Sequence, residues 1–302
     1  MRWTARLRFK WYVLILLTIA VPSAMLGLFW PVIGISNCHG DRYRADFYLA
    51  YCASTQYGDY EHGALYFDLE PEAIRSLREA DILSIANSRE QVAFSTDAVR
   101  SFVTGHGWRL YRLGFGYSEE SAFPQRLISR YHLHPKVIIV NADPFFTGKG
   151  STISDQLLAG TDARTDYVRS QIKRLAQYVQ RLTCGAQVLQ RFTCGEAQTT
   201  YRSRSDGAWD VTYYRQNRKF PVLIDPSHDL DLAPRAIAVA REFIAATGLD
   251  PRCLLLTVVP SDIATPLLAS PMTAISAMGT PISLDNEDAP SPLFAKRWVI
   301  SR

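Results

Sequence analysis

The chain has 302 residues, 47% hydrophobic and 21% charged, with a formal net charge of +4. That balance excludes a disordered protein and fits one sizeable folded domain plus an anchor. Much of the positive charge sits in Arg2, Arg6, Arg8 and Lys10, and no later basic run is interleaved with aromatics, which argues against nucleic acid as a partner.

Residues 1–10 read as a cytoplasmic basic segment, and 11–34 as a transmembrane anchor. The stretch WYVLILLTIAVPSAMLGLFWPVIG carries no charge and is long enough to span a bilayer core. Basic residues precede it and no acid appears before Asp41, so the N-terminus belongs in the cytoplasm and the bulk of the chain outside. Trp11, Tyr12 and Trp30 suit an interfacial belt. A cleaved signal peptide would have a shorter apolar core, whereas here apolar residues continue past Ser23-Ala24.

Residues 35–70, rich in Tyr, Gly and Asp, read as a surface segment, and the folded domain is expected over 71–302. Pro71 suits the first turn of a helix over 71–80, with Glu70 and Glu72 at its positive end. An apolar strand over 82–86 runs into Asn87-Ser88-Arg89 and a helix over 90–104. A second strand follows at 108–113, then a turn with Gly114 and Gly116 and a helix near 124–131. The third strand, 136–140, is a continuous apolar run of the kind buried in parallel sheets. A long helix over 154–182 shows an amphipathic spacing of Ile172, Leu175, Tyr178 and Leu182. It opens an insertion at about 150–220 that ends in a polar, Arg-rich stretch. A helix over 233–247, a strand over 253–259, a helix over 269–278 and a strand over 281–284 complete the order. Alternating strands and helices argue for a parallel sheet of about five strands covered on both faces.

Five cysteines lie beyond the anchor, where disulfides are permitted. Thr183-Cys184-Gly185 recurs as Thr193-Cys194-Gly195, so Cys184–Cys194 is the expected bridge, with Cys38–Cys52 as a second pairing and Cys253 as a buried thiol. No pair has metal-binding spacing, and neither a metal nor an organic cofactor is expected.

Open α/β sheets hold ligands at the carboxyl edge of the strands, and Ser88 falls there, where the next helix begins. A serine in that place either caps the helix or presents a nucleophile. His106, His132 and His134 precede strands and fall at the opposite edge. His228, in Asp225-Pro226-Ser227-His228, precedes a helix that starts at the active edge, so it can reach Ser88 with Asp225 fixing its tautomer. The same stretch also reads as a turn before a helix. His62 has the same formal access. The backbone N–H of Ser88 and Gly116 and the amide of Asn141 are candidate donors to an oxyanion.

Together, Ala86-Asn87-Ser88-Arg89, Leu113-Gly114-Phe115-Gly116 and Val140-Asn141-Ala142-Asp143, after three successive strands, resemble the SGNH (GDSL-like) hydrolase superfamily, in particular its membrane-anchored bacterial envelope members. The resemblance covers roughly residues 60–302. It implies a flavodoxin-like three-layer α/β/α sandwich behind one N-terminal transmembrane helix, at the bacterial inner membrane with the main domain periplasmic. It implies ester or acyl-transfer chemistry on an acylated sugar or polysaccharide, with Ser88 as nucleophile and Gly116 and an asparagine at the oxyanion. The chain departs from the family in three places. Ala86 and Asn87 replace a glycine and an aspartate. Asp143 takes the asparagine place unless Asn141 substitutes for it, and a carboxylate does not donate to an anion. The last block, Asp285-Asn286-Glu287-Asp288, puts Asp288 where the histidine belongs. Two readings follow: His228 supplies the base from another loop, or the triad has lapsed and the protein binds glycan or an envelope protein partner. The insertion's Arg202, Arg204, Arg215 and Arg218 add a third reading, a docking face for an anionic polymer or neighbouring protein.

Overall fold

The computed structural model describes residues 34–40, 44–116, 119–141, 145–146, 150–184, 194–212, 232–248, 253–257, 280–283 and 298–301, with Trp11 and Thr18. In chain order the elements begin with β1 (Phe47–Cys52), β2 (Gly58–Asp59), α1 (Glu61–Tyr66) and α2 (Pro71–Arg78). Next come β3 (Ile82–Asn87), α3 (Ser88–Phe94), α4 (Asp97–Gly105), β4 (Leu110–Phe115) and α5 (Ala122–Tyr131). They are followed by β5 (Val137–Asn141), α6 (Thr152–Ala159), α7 (Ala163–Cys184) and β6 (Thr199–Ser203). The last are α8 (Leu232–Thr247), β7 (Leu254–Thr257), β8 (Thr280–Ser283) and β9 (Trp298–Ser301).

The larger sheet has the order β4-β3-β5-β7-β9-β8. Its first four strands are parallel, and β9 runs antiparallel to both neighbours. The expected five adjacent parallel strands are therefore four, because the C-terminal strand inserts between β7 and β8. The chain leaves β3 for β4 on one side and then crosses back to β5 on the other, so the winding reverses at β3. Leu83, Ile85, Leu113, Phe115, Ile138 and Val140 are buried in this sheet and pack with Phe123 and Leu127 of α5 and Phe243 of α8.

Much of the stretch read as a surface segment is interior. Tyr48, Leu49, Ala50 and Cys52 of β1 are fully buried, as are Glu61 to Leu65 of α1. The insertion returns as β6 and pairs antiparallel with β1, Phe47 facing Ser203 and Cys52 facing Thr199, to form a second sheet of order β2-β1-β6. The two sheets share one apolar core. Arg202 of β6, fully buried, fastens them: Nη1 donates to Glu61 Oε2 at 2.8 Å and to Gly114 O at 3.2 Å, and Nη2 to Arg112 O. Those carbonyls belong to β4, the edge strand, whose Arg112 N–H donates to Asp206 O at 2.9 Å. The edge is thus closed by side chain and turn. Gly207 in that turn has φ +68°, and a Cβ there would lie 2.4 Å from Arg112 O, so only glycine fits. Arg204 pairs inward with Glu70 at 2.8 Å. These two arginines are structural and not a docking face; Arg215 and Arg218 lie outside the described residues.

Two expected helices are divided. The one over 90–104 becomes α3 and α4, because Thr96 leaves the helix and its side chain accepts from Val99 N–H as a new cap. The one over 154–182 becomes α6 and α7, parted at Gly160, which ends α6 with φ 64°. In α7 the expected core stripe is reversed. Leu175, Tyr178 and Leu182 are exposed, and Ala176, Gln177 and Gln180 are buried.

Both Cys38–Cys52 and Cys184–Cys194 are bonded, and Cys253 is a free, half-buried thiol. Among the described residues no helix is long and apolar enough to cross a membrane. The segment 11–34 lies outside them except at Trp11, Thr18 and Gly34, and the helix expected over 269–278 lies wholly outside them.

Candidate functional site

Three of the predicted site residues meet at one rim. β3 passes into α3 with no intervening residue, so Ser88 is the first helical residue and is half-buried at the carboxyl end of the sheet. Asn87 lies opposite Phe115, so Ser88 and Gly116 leave the sheet side by side. On the other flank Ile85 lies opposite Val140, which brings Asn141, fully buried, to the same end. Adjacent strands are about 4.8 Å apart. A serine at the winding reversal, with a glycine amide on one side and a side-chain amide on the other, occupies the position where open α/β sheets keep their ligands. Trp209 walls this rim: a Cβ on Gly116 would meet its Cη2 at 3.7 Å.

Gly114, grouped with Gly116 by sequence, does a different job. Its carbonyl accepts from Gln91 Nε2 at 3.1 Å and from Arg202, and a Cβ there would lie 2.8 Å from Glu90 Oε2. Glu90, in the first turn of α3, is fully buried, and Ser84 donates to its Oε1 at 2.5 Å. Burial pushes the Glu90 carboxyl up, against the opposing pull of Ser84, Arg112 and Arg202.

His62 stands at the same end of the sheet but is not available to Ser88. It is fully buried between two carboxylates. Nδ1–H donates to Asp59 Oδ2 at 3.0 Å and Nε2–H to Glu119 Oε2 at 3.1 Å. Its ring lies 4.7 Å from that of Phe115 and 4.9 Å from that of Phe123. Burial alone lowers the ring's affinity for a proton, but Asp59 and Glu119 outweigh it and push the pKa up to about 10. Protonated and donating through both nitrogens, it takes no proton from a serine at neutral pH. Glu119 is the hub of this network. It accepts from Ser151 Oγ at 2.6 Å and Ser154 Oγ at 2.9 Å, and its N–H closes a turn to Gly116 O at 3.2 Å. Burial raises the Glu119 carboxyl, but His62 and the two serines hold it below the ordinary range. The loops after β4 and β5 are thereby tied to α1.

Sequence reasoning missed Glu119, Ser151 and Ser154. The only signal for Glu119 was an acid three residues beyond the rim glycine, and its partner lies far back in the chain. Asp59, Glu61 and His62 offer ligand atoms within 4.8 Å of one another. Both His62 nitrogens are engaged, and Glu61 Oε2 holds Arg202 and, at 3.1 Å, Trp209 Nε1, so the cluster is neutralised from within and does not suit a cation.

The remaining predicted site residues, Asp225, His228, Asp285 and Asp288, lie outside the described residues. His106 is exposed at the C-terminal cap of α4, and His132 caps α5 with φ 50°, both away from the rim. Comparison of the chain with protein-family models, with curated proteins and with solved structures finds no match.

Proposed function

We propose that the protein is a serine-dependent esterase or O-acyltransferase of the SGNH-like type, acting on acyl groups of an envelope or exported polysaccharide. Residues 11–34 hold it in the bacterial inner membrane, and a flavodoxin-like three-layer domain works on the periplasmic side. The observation that carries this reading is Ser88, placed at the winding reversal between the ends of β4 and β5, with Gly116 and Asn141 beside it.

Ser88 Oγ attacks the acyl carbonyl while His228 takes its proton, and Asp225 holds that imidazole in the required tautomer. The anion that forms is met by the Gly116 N–H and the Asn141 amide. The C–O bond to the sugar then breaks, and the imidazolium returns the proton to the departing alkoxide. Water or a second sugar hydroxyl attacks the acyl-serine by the same route, giving hydrolysis or transfer. No metal or organic cofactor enters these steps.

A fluorophosphonate probe tests the reading. Wild type is expected to label and Ser88→Ala not to label, with His228→Ala slowed by several orders of magnitude. Unlabelled wild type, or equal labelling of Ser88→Ala, rejects it. The locked state of His62 favours one rival, a lapsed enzyme that binds glycan or a partner protein, because no described histidine then serves Ser88. Esterase activity that appears only in Asp288→His selects that rival.

A further inference from the structure

Across the rim the order is Trp209, Gly116, Ser88 and Asn141. The last three stand at the ends of β4, β3 and β5, in the order of those strands in the sheet. Trp209 stands beyond them on the β4 flank, because the turn before it lies along that edge strand, where Arg112 N–H donates to Asp206 O. The indole is fixed in place. The Trp209 backbone N–H donates to Gln91 Oε1 at 3.1 Å and to Ser95 Oγ at 3.2 Å, and Nε1–H donates to Glu61 Oε2 at 3.1 Å. Glu61 is itself held by Arg202 at 2.8 Å. With Trp209 only 6% exposed, the ring is a rigid wall that does not swing aside.

Gly116 faces this wall, and no backbone demand explains the glycine. Its φ is not positive, in contrast to that of Gly207. A Cβ there would lie in ordinary van der Waals contact with Trp209 Cη2 at 3.7 Å and would meet no other non-adjacent atom within 4 Å among the described residues. Gly114 is different, since a Cβ there would come within 2.7 Å of Gln91 Cγ. The missing side chain of Gly116 therefore leaves a slot with room for one methyl group before the edge of the indole.

An ester at Ser88 has two arms. The sugar arm belongs to a polymer and has to run out to solvent. Behind Trp209 the flank is filled by Glu61, Arg202 and Phe115, all fully buried, so nothing large passes that way. The acyl arm is the one that fits the closed side. It meets ring carbon there, and Nε1–H is already spent on Glu61, so a charged or hydroxylated chain finds no donor on this wall.

We infer that Trp209 is the specificity-determining residue of the rim: it closes the acyl pocket one methyl group beyond the carbonyl, so that an acetyl group enters and longer acyl groups are turned away. This rests on the reading of Ser88 as nucleophile.

The test uses the full chain in detergent with p-nitrophenyl acetate, butyrate and octanoate. Release of p-nitrophenol reports formation of the acyl-serine, the step that hydrolysis and transfer share. Wild type is expected to lose about tenfold or more in kcat/KM from acetate to butyrate, the effect of forcing methylenes into a closed pocket. Trp209→Ala is expected to raise the butyrate-to-acetate ratio about tenfold, and Trp209→Phe to raise it by less. The ratio decides, because a variant that only loosens the fold lowers all three rates together. Trp209→Phe keeps an aromatic ring in the same space and carries the comparison if the alanine variant does not fold. Octanoate turned over as fast as acetate by wild type, or a ratio that neither variant moves, overturns the inference and leaves Ser88 standing. No release from any of the three esters overturns both.

Discussion

His62 shows how one ionisable side chain can be taken out of chemistry by its surroundings. Two carboxylates hold its proton, so its contribution to stability has a definite pH window. The folded protein binds a proton that the unfolded chain releases near 6.5, and gives it up only near a pKa of about 10. Stability from this group is complete below pH 6.5 and falls as pH rises toward 10. Urea unfolding of the full chain in detergent is expected to show that decline in wild type and a flat profile in His62→Gln. His62→Leu leaves two buried carboxylates facing each other, and removal of one partner from a buried charge pair costs about 3–5 kcal/mol. A variant as stable as wild type at pH 6 would show that the network is incidental.

Arg202 sets the next scale, since one side chain joins β6 to β4 and to α1. Arg202→Met strands the Glu61 carboxylate in the interior, with an expected loss of about 3–5 kcal/mol. Adding Glu61→Gln removes that charge and keeps an acceptor for Trp209, so the double variant recovers part of the loss. A coupling of about 1–3 kcal/mol in the double-mutant cycle is expected, and strict additivity would contradict the lock. The elements themselves were unevenly legible. β3, β4 and β5 announced themselves as short apolar runs ended by polar or glycine punctuation, and the rim of Ser88, Gly116 and Asn141 followed from their order. Helix breaks were harder: Thr96 and Gly160 each sit inside a pattern that periodicity alone extends. The stripe of α7 was seen correctly as a stripe, but periodicity does not say which face turns inward, and Gln177 and Gln180 took the core side because backbone groups of Leu49, Ile35 and Cys38 needed partners there.

Across the whole molecule, the parts that sequence reading missed are those that depend on distant segments meeting. Phe47–Cys52 read as surface because it lies in a stretch rich in Tyr, Gly and Asp, and the strand that buries it, β6, is far along the chain. Glu119 and His62, and Arg202 and Glu61, are likewise joined only by folding. What could be read locally was the nucleophile's strand; what could not was the second sheet that buttresses it. The pairing of β1 with β6 also governs how the chain matures. Synthesis delivers β1 early, and its complement emerges only after the first three strands of the large sheet have been made. In that interval the edge of β1 away from β2 is unpaired, open to capture by a neighbour in the same state. Late closure of so distant a contact makes assembly slow. Recovery on dilution from urea is therefore expected to drop as protein concentration rises, and a yield independent of concentration would mean that this edge is shielded while it waits.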